Sequence, residues 1–431
     1  MTQQERMKWF THDRFGLFIH WGLYAIPARG EWVRSKEHMP IEDYQQYFDE
    51  FNPEDYDPAA WAKAAKNAGM KYAVLTAKHH DGFCLFDSAL TDYKSTNTPC
   101  KLDLVREYVD AFRAEGLKVG FYYSLLDWHH PDYPHHDGIH PMRESENHPD
   151  EGRNFDRYVD YLHGQVRELC SNYGKIDILF FDFSYGEYSG EKWRATELLK
   201  MAKELQPHII VNNRLEGSGH GFSSIIAGEP TAYAGDYVSP EQMIPQEGVL
   251  NKKGEPVYWE ANLTMNNNWG YAQFDKDFYP PEVFIRMLVE CVSKGGNLLM
   301  NVGPDAMGNI PPESLQILQK VGEWMSRNQK SIYGCGPVNM PKPDYGRFTG
   351  DGGKKIYIHV TEHIVGPIPV KIKKEDIKRV RLLATGAELS AAGSWASANF
   401  PEYTFIRLDA EGLTSYPMPD KIDTVIMVEL K

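Results

Sequence analysis

The chain has few cysteines, and their spacing argues against two common uses of this residue. The five are Cys84, Cys100, Cys170, Cys291 and Cys335, an odd number, and no two of them form a C-x-x-C pair. Disulfide frameworks and thiolate zinc sites need paired or closely spaced cysteines. We therefore expect neither.

The sequence also lacks a long apolar run and an excess of positive charge. No run of about 18 apolar residues occurs, so we expect no membrane span. The N-terminal MTQQERMKWFTHDRFG has no apolar stretch of the kind found in signal peptides. The net charge of −14 disfavours a nucleic-acid or anionic-membrane partner. A cytoplasmic location fits, with a removed leader as the alternative, and the oligomeric state stays open.

What the sequence does contain is a regular alternation of short apolar strands and amphipathic helices. The predicted strands are FGLFIHW (15–21), YAVLTAKHH (72–80), KVGFYYSL (118–125), DILFFDF (177–183), HIIVNNR (208–214) and NLLMNVG (297–303). This alternation predicts a parallel sheet covered by helices. No G-x-G-x-x-G follows the first strand, which disfavours an open dinucleotide-binding sheet. We therefore predict an α/β fold with a (β/α)₈-like, TIM-type barrel over residues 1–335.

The pattern changes after Gly334. KKIYIHV, VKIKK, VRLLAT, FIRLDA and DTVIMVEL follow without helices between them, separated by turns that contain Gly and Pro. Such runs are typical of antiparallel strands. We predict a small antiparallel β-sandwich over residues 336–431.

Polar residues end several of the predicted barrel strands. They are His20, His79, His80, Ser124, Asp182 and Arg214. Barrel enzymes take their catalytic groups from the carboxyl ends of several strands. The stretch TAKHHDGF at 76–83 could supply metal ligands, a proton-transfer group or a polar clamp. Asp182, between two phenylalanines, is costly to bury unless it is paired or functional, although it could instead cap the next loop.

Longer motifs carry a resemblance to a known family. They are RFGLFIHWGLY, GEW, KHHDGFCLFDS, VNNR, DYVSPEQ, WEANLTMNNNWGY, KGGNLLMNVGPDAMGNIP and GEWMSRNQKSIYG. In this order the chain resembles the α-L-fucosidases of glycoside hydrolase family 29. The resemblance implies a barrel with a C-terminal β-sandwich and hydrolysis of terminal α-L-fucose with retention. It also implies a fucosylated glycan as substrate and no cofactor.

The resemblance implies two catalytic carboxylates. Asp182 is similar to the nucleophile, which forms a covalent fucosyl-enzyme. A retaining enzyme needs a second carboxyl group as acid and base. Glu241 in SPEQ resembles this group, with Glu229 and Glu216 as rivals and Glu260 as a weaker one.

The resemblance also implies the contacts to the sugar. His20 and Glu31 are similar to residues that bind the axial 4-OH. Trp32 and His79 are similar to residues near the 3-OH, and His80 lies beside them.

Three further residues complete this predicted set. Arg214 resembles an arginine near the ring oxygen, and Tyr122 a tyrosine near the nucleophile, with Tyr123 as the alternative register. Trp269 resembles an aromatic wall against the C6 methyl. Many family members carry Trp where this chain has Phe180, so a contact to the 2-OH through that indole is missing here.

Two other functions compete. The histidine-rich segment DWHHPDYPHHDGIHP at 127–141 could serve a metal-dependent hydrolase. Its spacing differs from H-E-x-x-H, and its prolines and glycine indicate a loop, which we expect over the mouth of the active site. A non-catalytic fucose-binding protein is the second alternative.

Overall fold

The computed structural model describes residues 1–218, 221–392, 397–408 and 418–431, and it is a mixed α/β structure. Its helices are α1 (Gln3–Asp13), α2 (Val33–Lys36), α3 (Ile41–Glu50), α4 (Pro58–Asn67), α5 (Leu104–Ala114), α6 (Phe155–Asn172), α7 (Ala195–Leu205), α8 (Ser223–Ala227), α9 (Pro281–Ser293) and α10 (Pro312–Asn328). In these ranges, no helix combines the length and apolar character needed to cross a membrane.

Strands of the first three quarters of the chain form one curled parallel sheet. They are β1 (Phe15–Ile19), β2 (Tyr72–Lys78), β3 (Lys118–Ser124), β4 (Ile178–Asp182), β5 (Ile210–Val211), β6 (Glu260–Leu263) and β7 (Asn297–Val302). Among the described residues the order is β5-β4-β3-β2-β1-β7-β6. All strand residues except Lys118 are buried. This burial explains why the strands read as continuous apolar runs.

Residues 236–242, here called the bridging segment, lie between the two edge strands of this sheet. Parallel bridges pair Asn212 with Tyr237, Val238 with Trp259, and Glu241 with Asn262. The backbone N–H of Asp236 donates to the carbonyl of Val211 over 2.6 Å. On the other side, Glu260 N–H donates to Val238 over 3.0 Å. The segment therefore contacts the ends of β5 and the start of β6 without forming a regular strand.

Local signals in the sequence explain where the helices begin. Helix α4 starts at Pro58 after the N-cap Asp57, whose carboxylate accepts a hydrogen bond from Ala60 N–H over 2.9 Å. This start follows the usual preference for Asp before Pro at a helix N-terminus. Helix α6 also begins after an N-cap, Asn154, whose side chain accepts hydrogen bonds from the N–H groups of Asp156 and Arg157.

The C-terminal part consists of two antiparallel sheets. Their strands are β8 (Gly346–Gly350), β9 (Lys355–Val360), β10 (Ile368–Val370), β11 (Ile377–Leu382), β12 (Ser390–Ala392), β13 (Thr404–Arg407) and β14 (Thr424–Leu430). In the described ranges, one sheet has the order β11-β14-β9-β8 and the other β10-β13-β12. The predicted run FIRLDA lies in β13, and its last two residues fall outside the described residues. Strand β8 has no counterpart among the predicted strands, because its two terminal glycines hide the β pattern.

Side chains from both sheets share one apolar core. Ile358 and Ile426 of one sheet and Val370 and Ile406 of the other belong to the same buried cluster. Polar contacts fasten this part to the helices around the parallel sheet. Trp324 Nε1 of α10 donates to the carbonyl of Asp423 over 3.2 Å.

Candidate active site

The carboxyl ends of the parallel strands surround one cavity of about 210 Å³. Its lining includes all ten residues predicted for catalysis and sugar binding: His20, Glu31, Trp32, His79, His80, Tyr122, Asp182, Arg214, Glu241 and Trp269. It also includes five that the sequence reasoning did not assign: Phe18, Phe180, Phe183, Tyr185 and Asn262. Parallel strands end at one edge of a sheet, which is why residues so distant in sequence meet here.

Asp182, the last residue of β4, accepts hydrogen bonds on both carboxylate oxygens. The hydroxyl of Tyr122 donates to Oδ2 over 2.8 Å. Arg214 Nη1 donates to Oδ1 over 2.6 Å. Burial alone raises the pKa of Asp182, but the charge of Arg214 and these hydrogen bonds outweigh it, so the pKa lies below its ordinary value. The side chain is therefore an ionised carboxylate at neutral pH.

The backbone after Asp182 is strained. Phe183 has a φ of +78°, the left-handed region that a bulky residue rarely adopts. Its N–H donates to Ser218 Oγ over 2.9 Å, which holds the turn. Strain of this kind costs about 1–3 kcal/mol and concentrates at functional sites. Here it turns the chain so that Asp182 and Phe183 both face the cavity.

Arg214 connects Asp182 to a second carboxylate. Its Nη2 forms an ion pair with Glu241 Oε2 at 2.9 Å. Because Nη1 and Nη2 share one carbon atom, the two carboxylates lie close together on one guanidinium. Arg214 Nε also donates to Ser239 Oγ over 3.0 Å, so the arginine is fixed against the bridging segment. The Glu241 side chain is 45% exposed, whereas that of Asp182 is 12% exposed.

The three rival glutamates lie outside this cavity. Glu216 accepts hydrogen bonds from the N–H and hydroxyl of Ser224 and fastens its own loop. Glu229 is exposed. Glu260 is fully buried inside the sheet, where the hydroxyl of Tyr72 donates to it. Burial raises the pKa of Glu260 to about 8. Only Glu241 among the four candidates therefore lies beside Asp182.

Asn301 links two of the cavity residues. Its amide nitrogen donates to the carbonyl of Trp269 over 2.7 Å, which fixes the orientation of the amide. Its oxygen therefore accepts from His20 Nδ1, also over 2.7 Å. Burial lowers the pKa of His20 to about 4, so the ring is neutral at pH 7. The Nε2 atom of His20 then carries a lone pair and can accept a hydrogen bond from a sugar hydroxyl.

His79 and His80 follow the last residue of β2 and both line the cavity. Their rings lie 4.0 Å apart. Gly82 N–H donates to the carbonyl of His79 over 3.1 Å and closes the turn. Burial lowers the pKa of both imidazoles, so both are neutral. Asp81 is buried and accepts from the Tyr44 hydroxyl over 3.0 Å, outside the cavity lining.

Glu31 and Trp32 enter the cavity from the segment before α2. Glu31 Oε2 accepts from Gly270 N–H over 2.8 Å, and burial raises the pKa of this carboxyl group. The Trp32 ring lies 5.0 Å from His80 and 5.3 Å from Phe183. Together they form a polar and an aromatic part of the wall.

Tyr122, rather than Tyr123, faces the cavity. Tyr123 lies on the opposite face of β3 and donates to Gln165 of α6 over 2.8 Å. The Tyr122 ring stacks on Phe180 at 5.9 Å. The guanidinium of Arg214 lies over the Phe180 ring, 5.1 Å from the centroid of that ring. Phe180 thus supports Tyr122 and Arg214 but offers no hydrogen bond to a ligand.

The histidine-rich segment is fastened by its own histidines. His135 Nδ1 lies 3.0 Å from the carbonyl of His148, and His140 Nε2 lies 3.3 Å from that of Trp128. Arg153 Nη2 lies 2.5 Å from His135 Nε2. In the part of the chain that the structure describes, no group of three or more His, Cys, Asp or Glu is placed to hold a metal ion. These contacts favour a structural role for the segment.

Comparisons with known proteins give the same family. The family model described as alpha-L-fucosidase matches residues 1–330. Human plasma alpha-L-fucosidase is 30% identical over 349 residues, which cover 75% of this chain and 68% of that protein. The structure of alpha-L-fucosidase isoenzyme 1 from Paenibacillus thiaminolyticus is 56% identical, covering 100% of this chain and 99% of that one, with a TM-score of 0.94. A GH29 alpha-L-fucosidase from Bacteroides thetaiotaomicron, trapped as a covalent intermediate with 2-fluoro-fucosyl fluoride, is 30% identical, covering 100% and 97%, with a TM-score of 0.85.

Proposed function

The chain belongs to the α-L-fucosidase family of glycoside hydrolases, GH29, and from this we propose that it removes terminal α-L-fucose from fucosylated glycans with retention of configuration. We assign Asp182 as the nucleophile and Glu241 as the acid and base. The observation that carries the assignment is the guanidinium of Arg214, which binds both carboxylates at the floor and rim of one cavity. Retaining glycosidases place their two carboxyl groups roughly 5–5.5 Å apart.

In the first step, Asp182 attacks the anomeric carbon while protonated Glu241 gives its proton to the departing glycosidic oxygen. The C–O bond to the aglycone breaks, and an ester bond to Asp182 forms. The hydrogen bond from Tyr122 and the charge of Arg214 keep Asp182 ionised before the attack. The more exposed position of Glu241 suits a group that exchanges protons with solvent and with the leaving oxygen.

In the second step, Glu241 takes a proton from water, which attacks the anomeric carbon and releases Asp182. Esterification removes the negative charge of Asp182. Arg214 then contacts only Glu241 of the two carboxylates as a charged partner, through Nη2 and Oε2 at 2.9 Å.

The sugar contacts follow from the hydroxyls and the methyl group of fucose. We assign His20 and Glu31 to the 4-OH and His79 and Trp32 to the 3-OH, with His80 behind them. Neutral imidazoles can accept and donate one hydrogen bond each, as a sugar hydroxyl requires. Trp269, 5.0 Å from His20, provides the apolar surface for the C6 methyl.

We also propose that the bridging segment closes the seven-stranded sheet into a (β/α)₈-like barrel. Its parallel bridges toward both edge strands support this closure. We assign residues 1–335 to this catalytic unit and residues 336–431 to a β-sandwich, whose shared core supports that reading. The cytoplasmic location stays a prediction.

Two alternatives, a non-catalytic fucose-binding protein and a metal-dependent hydrolase, are less favoured. Both carboxylates line the cavity, and His135 and His140 of the histidine-rich segment contact backbone carbonyls and Arg153. Labelling with 2-fluoro-fucosyl fluoride tests the proposal directly. Peptide mapping by mass spectrometry should find the fucosyl ester on Asp182, and Asp182→Asn should remain unlabelled. A label on any other carboxylate, or no label on an active parent, would overturn the assignment.

A further inference from the structure

A second cavity adjoins the active-site cavity and shares two of its residues. It has a volume of about 350 Å³. Its lining is Leu126, Tyr133, Asp137, Ile139, Phe183, Tyr185 and Tyr188. We call it the aromatic cleft. Phe183 and Tyr185 also line the active-site cavity, so the two cavities are adjacent and share part of their wall.

The one carboxylate of the aromatic cleft is already satisfied. Asp137 Oδ2 accepts from the Tyr133 hydroxyl over 2.8 Å. Its Oδ1 accepts from Ile139 N–H over 2.8 Å and His140 N–H over 2.6 Å. Asp137 therefore shapes the loop, and the surfaces left for a ligand are mostly aromatic and aliphatic.

Two tyrosines of the cleft are held as a pair on the strained turn after Asp182. Tyr185 and Tyr188 exchange backbone hydrogen bonds of 2.9 Å across Gly186. Tyr185 is 48% exposed, so its ring is accessible from solvent. The Phe183 ring lies 4.9 Å from that of Tyr185 and connects it to the sugar cavity.

Tyr185 connects the aromatic cleft to the proposed catalytic carboxylates, because it lines both cavities. Burial raises the pKa of Tyr185, and the charges of Asp182 and Glu241 raise it further. The phenol therefore lies within the electric field of both proposed catalytic carboxylates. When Asp182 attacks in line, the glycosidic oxygen leaves on the opposite side of the anomeric carbon and receives its proton from Glu241. Tyr185 lines the same cavity as both carboxylates.

We propose that the aromatic cleft is the aglycone site and that it binds the pyranose ring to which fucose is attached, stacking the C–H face of that ring on Tyr185 and Tyr188. This inference rests on the proposed function. Sugar rings have an apolar face, and aromatic side chains with few polar neighbours suit it. Phe183 separates the two subsites and sets the angle between the two sugars.

A comparison of two substrates isolates this site. α-L-Fucosyl fluoride has the same glycone but a single atom as leaving group. The second substrate is the fucosylated disaccharide that the parent cleaves best among α-1,2, α-1,3, α-1,4 and α-1,6 linkages. We expect Tyr188→Ala and Ile139→Ser to lower kcat/KM for the disaccharide about tenfold, which corresponds to about 1.4 kcal/mol. Turnover of the fluoride should stay within about twofold, which also shows that the variants fold.

Tyr279→Ala is the matched control, because Tyr279 is 49% exposed and lies outside both cavities. It should leave both substrates unchanged. Parallel losses on both substrates in Tyr188→Ala and Ile139→Ser, or no loss on either, would contradict an aglycone site. So would a parent that hydrolyses the fluoride and none of the disaccharides. A parent that leaves even the fluoride intact would instead refute the proposed function.

Discussion

His20 donates a hydrogen bond from Nδ1 to the side-chain oxygen of Asn301, over 2.7 Å. The amide of Asn301 is itself oriented by the carbonyl of Trp269. Asn301 on β7 therefore fixes the tautomer of His20, which we propose binds a sugar hydroxyl. It also fixes the position of Trp269, which we propose contacts the C6 methyl. Asn301 would thus act on the substrate only through His20 and Trp269, and a substitution of Asn301 tests this indirect role.

We expect Asn301→Asp to shift the acid limb of the kcat/KM profile to higher pH. The new carboxylate still accepts from His20, but its charge stabilises the imidazolium and raises the pKa of His20 from about 4. Protonated Nε2 lacks the lone pair that we propose accepts from a sugar hydroxyl. The repulsion from the Trp269 carbonyl should also reduce the preference for fucosides over the pentopyranoside that lacks C6. Asn172→Asp, on an exposed residue of α6, is the control. A uniform loss with an unchanged pH profile and sugar preference would contradict this role.

Glu241→Ala should reduce activity according to the leaving group. Loss of a general acid and base costs roughly 10²–10⁴-fold, and most of it should appear on poor leaving groups. Azide should restore turnover of an activated aryl fucoside. Because azide then replaces water on the fucosyl-enzyme, the product should be the α-fucosyl azide.

The configuration of that azide product distinguishes the two carboxylates. In Asp182→Gly, azide should attack the substrate itself and give the β-fucosyl azide. Glu229→Ala, on an exposed residue outside the cavity, is the control and should need no rescue. A β-azide from Glu241→Ala would assign that residue to the other role.

Glu260→Gln should stabilise the protein at alkaline pH but not at acid pH. Burial raises the pKa of Glu260 from 4.5 to about 8. Below about pH 4.5 the group is protonated in both the folded and the unfolded chain. Between there and about pH 8 only the folded chain keeps the proton, so the free energy of unfolding falls with rising pH, by about 1.4 kcal/mol per unit at most. The amide removes this slope.

Thermal unfolding of both proteins between pH 4 and pH 9 measures this effect. The gain in Tm should grow up to about pH 8 and then level off. Glu229→Gln, at an exposed position, should show no such trend. A gain in Tm that is equal at every pH would mean that packing, and not ionisation of Glu260, causes the difference in stability between parent and variant.

Gly82→Ala should destabilise the turn that presents His79 and His80. Gly82 has a φ of +81°, and an added Cβ would lie 2.2 Å from Asp127 Oδ1. Gly138→Ala is the matched control, because its φ is +91° but no atom lies within 4 Å of the added Cβ. The control should lose roughly 1–2 kcal/mol from backbone strain alone. Gly82→Ala should lose more and also lose activity. If chemical denaturation shows the same loss in free energy of unfolding for both variants, the contact with Asp127 does not affect stability.

The strand ends were the part of the site that could be predicted. Apolar runs followed by a polar residue mark buried parallel strands, and His20, His79 and Asp182 all lie at such ends. The family resemblance supplied the residues that have no strand signal, such as Glu31 and Trp269. All of these line the same cavity.

The contacts that hold the site together had no such signal. Asn301 lies inside an apolar strand, and nothing in its neighbours predicts that it faces both His20 and Trp269. The bridging segment contains Ser239 and Pro240 and has no apolar alternation, so it carries no strand signal. Hydrogen bonds from side chains such as Arg214 hold it in place of a regular β-ladder. Pairings between distant segments leave no periodic pattern, and only the folded chain reveals them.

The bridging segment connects Glu241, the proposed acid and base, to the least regular part of the sheet. Strand β5 has only two residues, and side chains such as Arg214 supply much of the connection between it and Ser239. Backbone amides in such a region open locally at a lower free energy than those of a continuous ladder. In native-state hydrogen exchange, the amides of residues 236–239, 241 and 242 should therefore exchange before those of β2 and β3. A ligand that contacts Arg214 and Glu241 together should slow that exchange, so occupancy of the proposed sugar site can be followed from the backbone without any turnover.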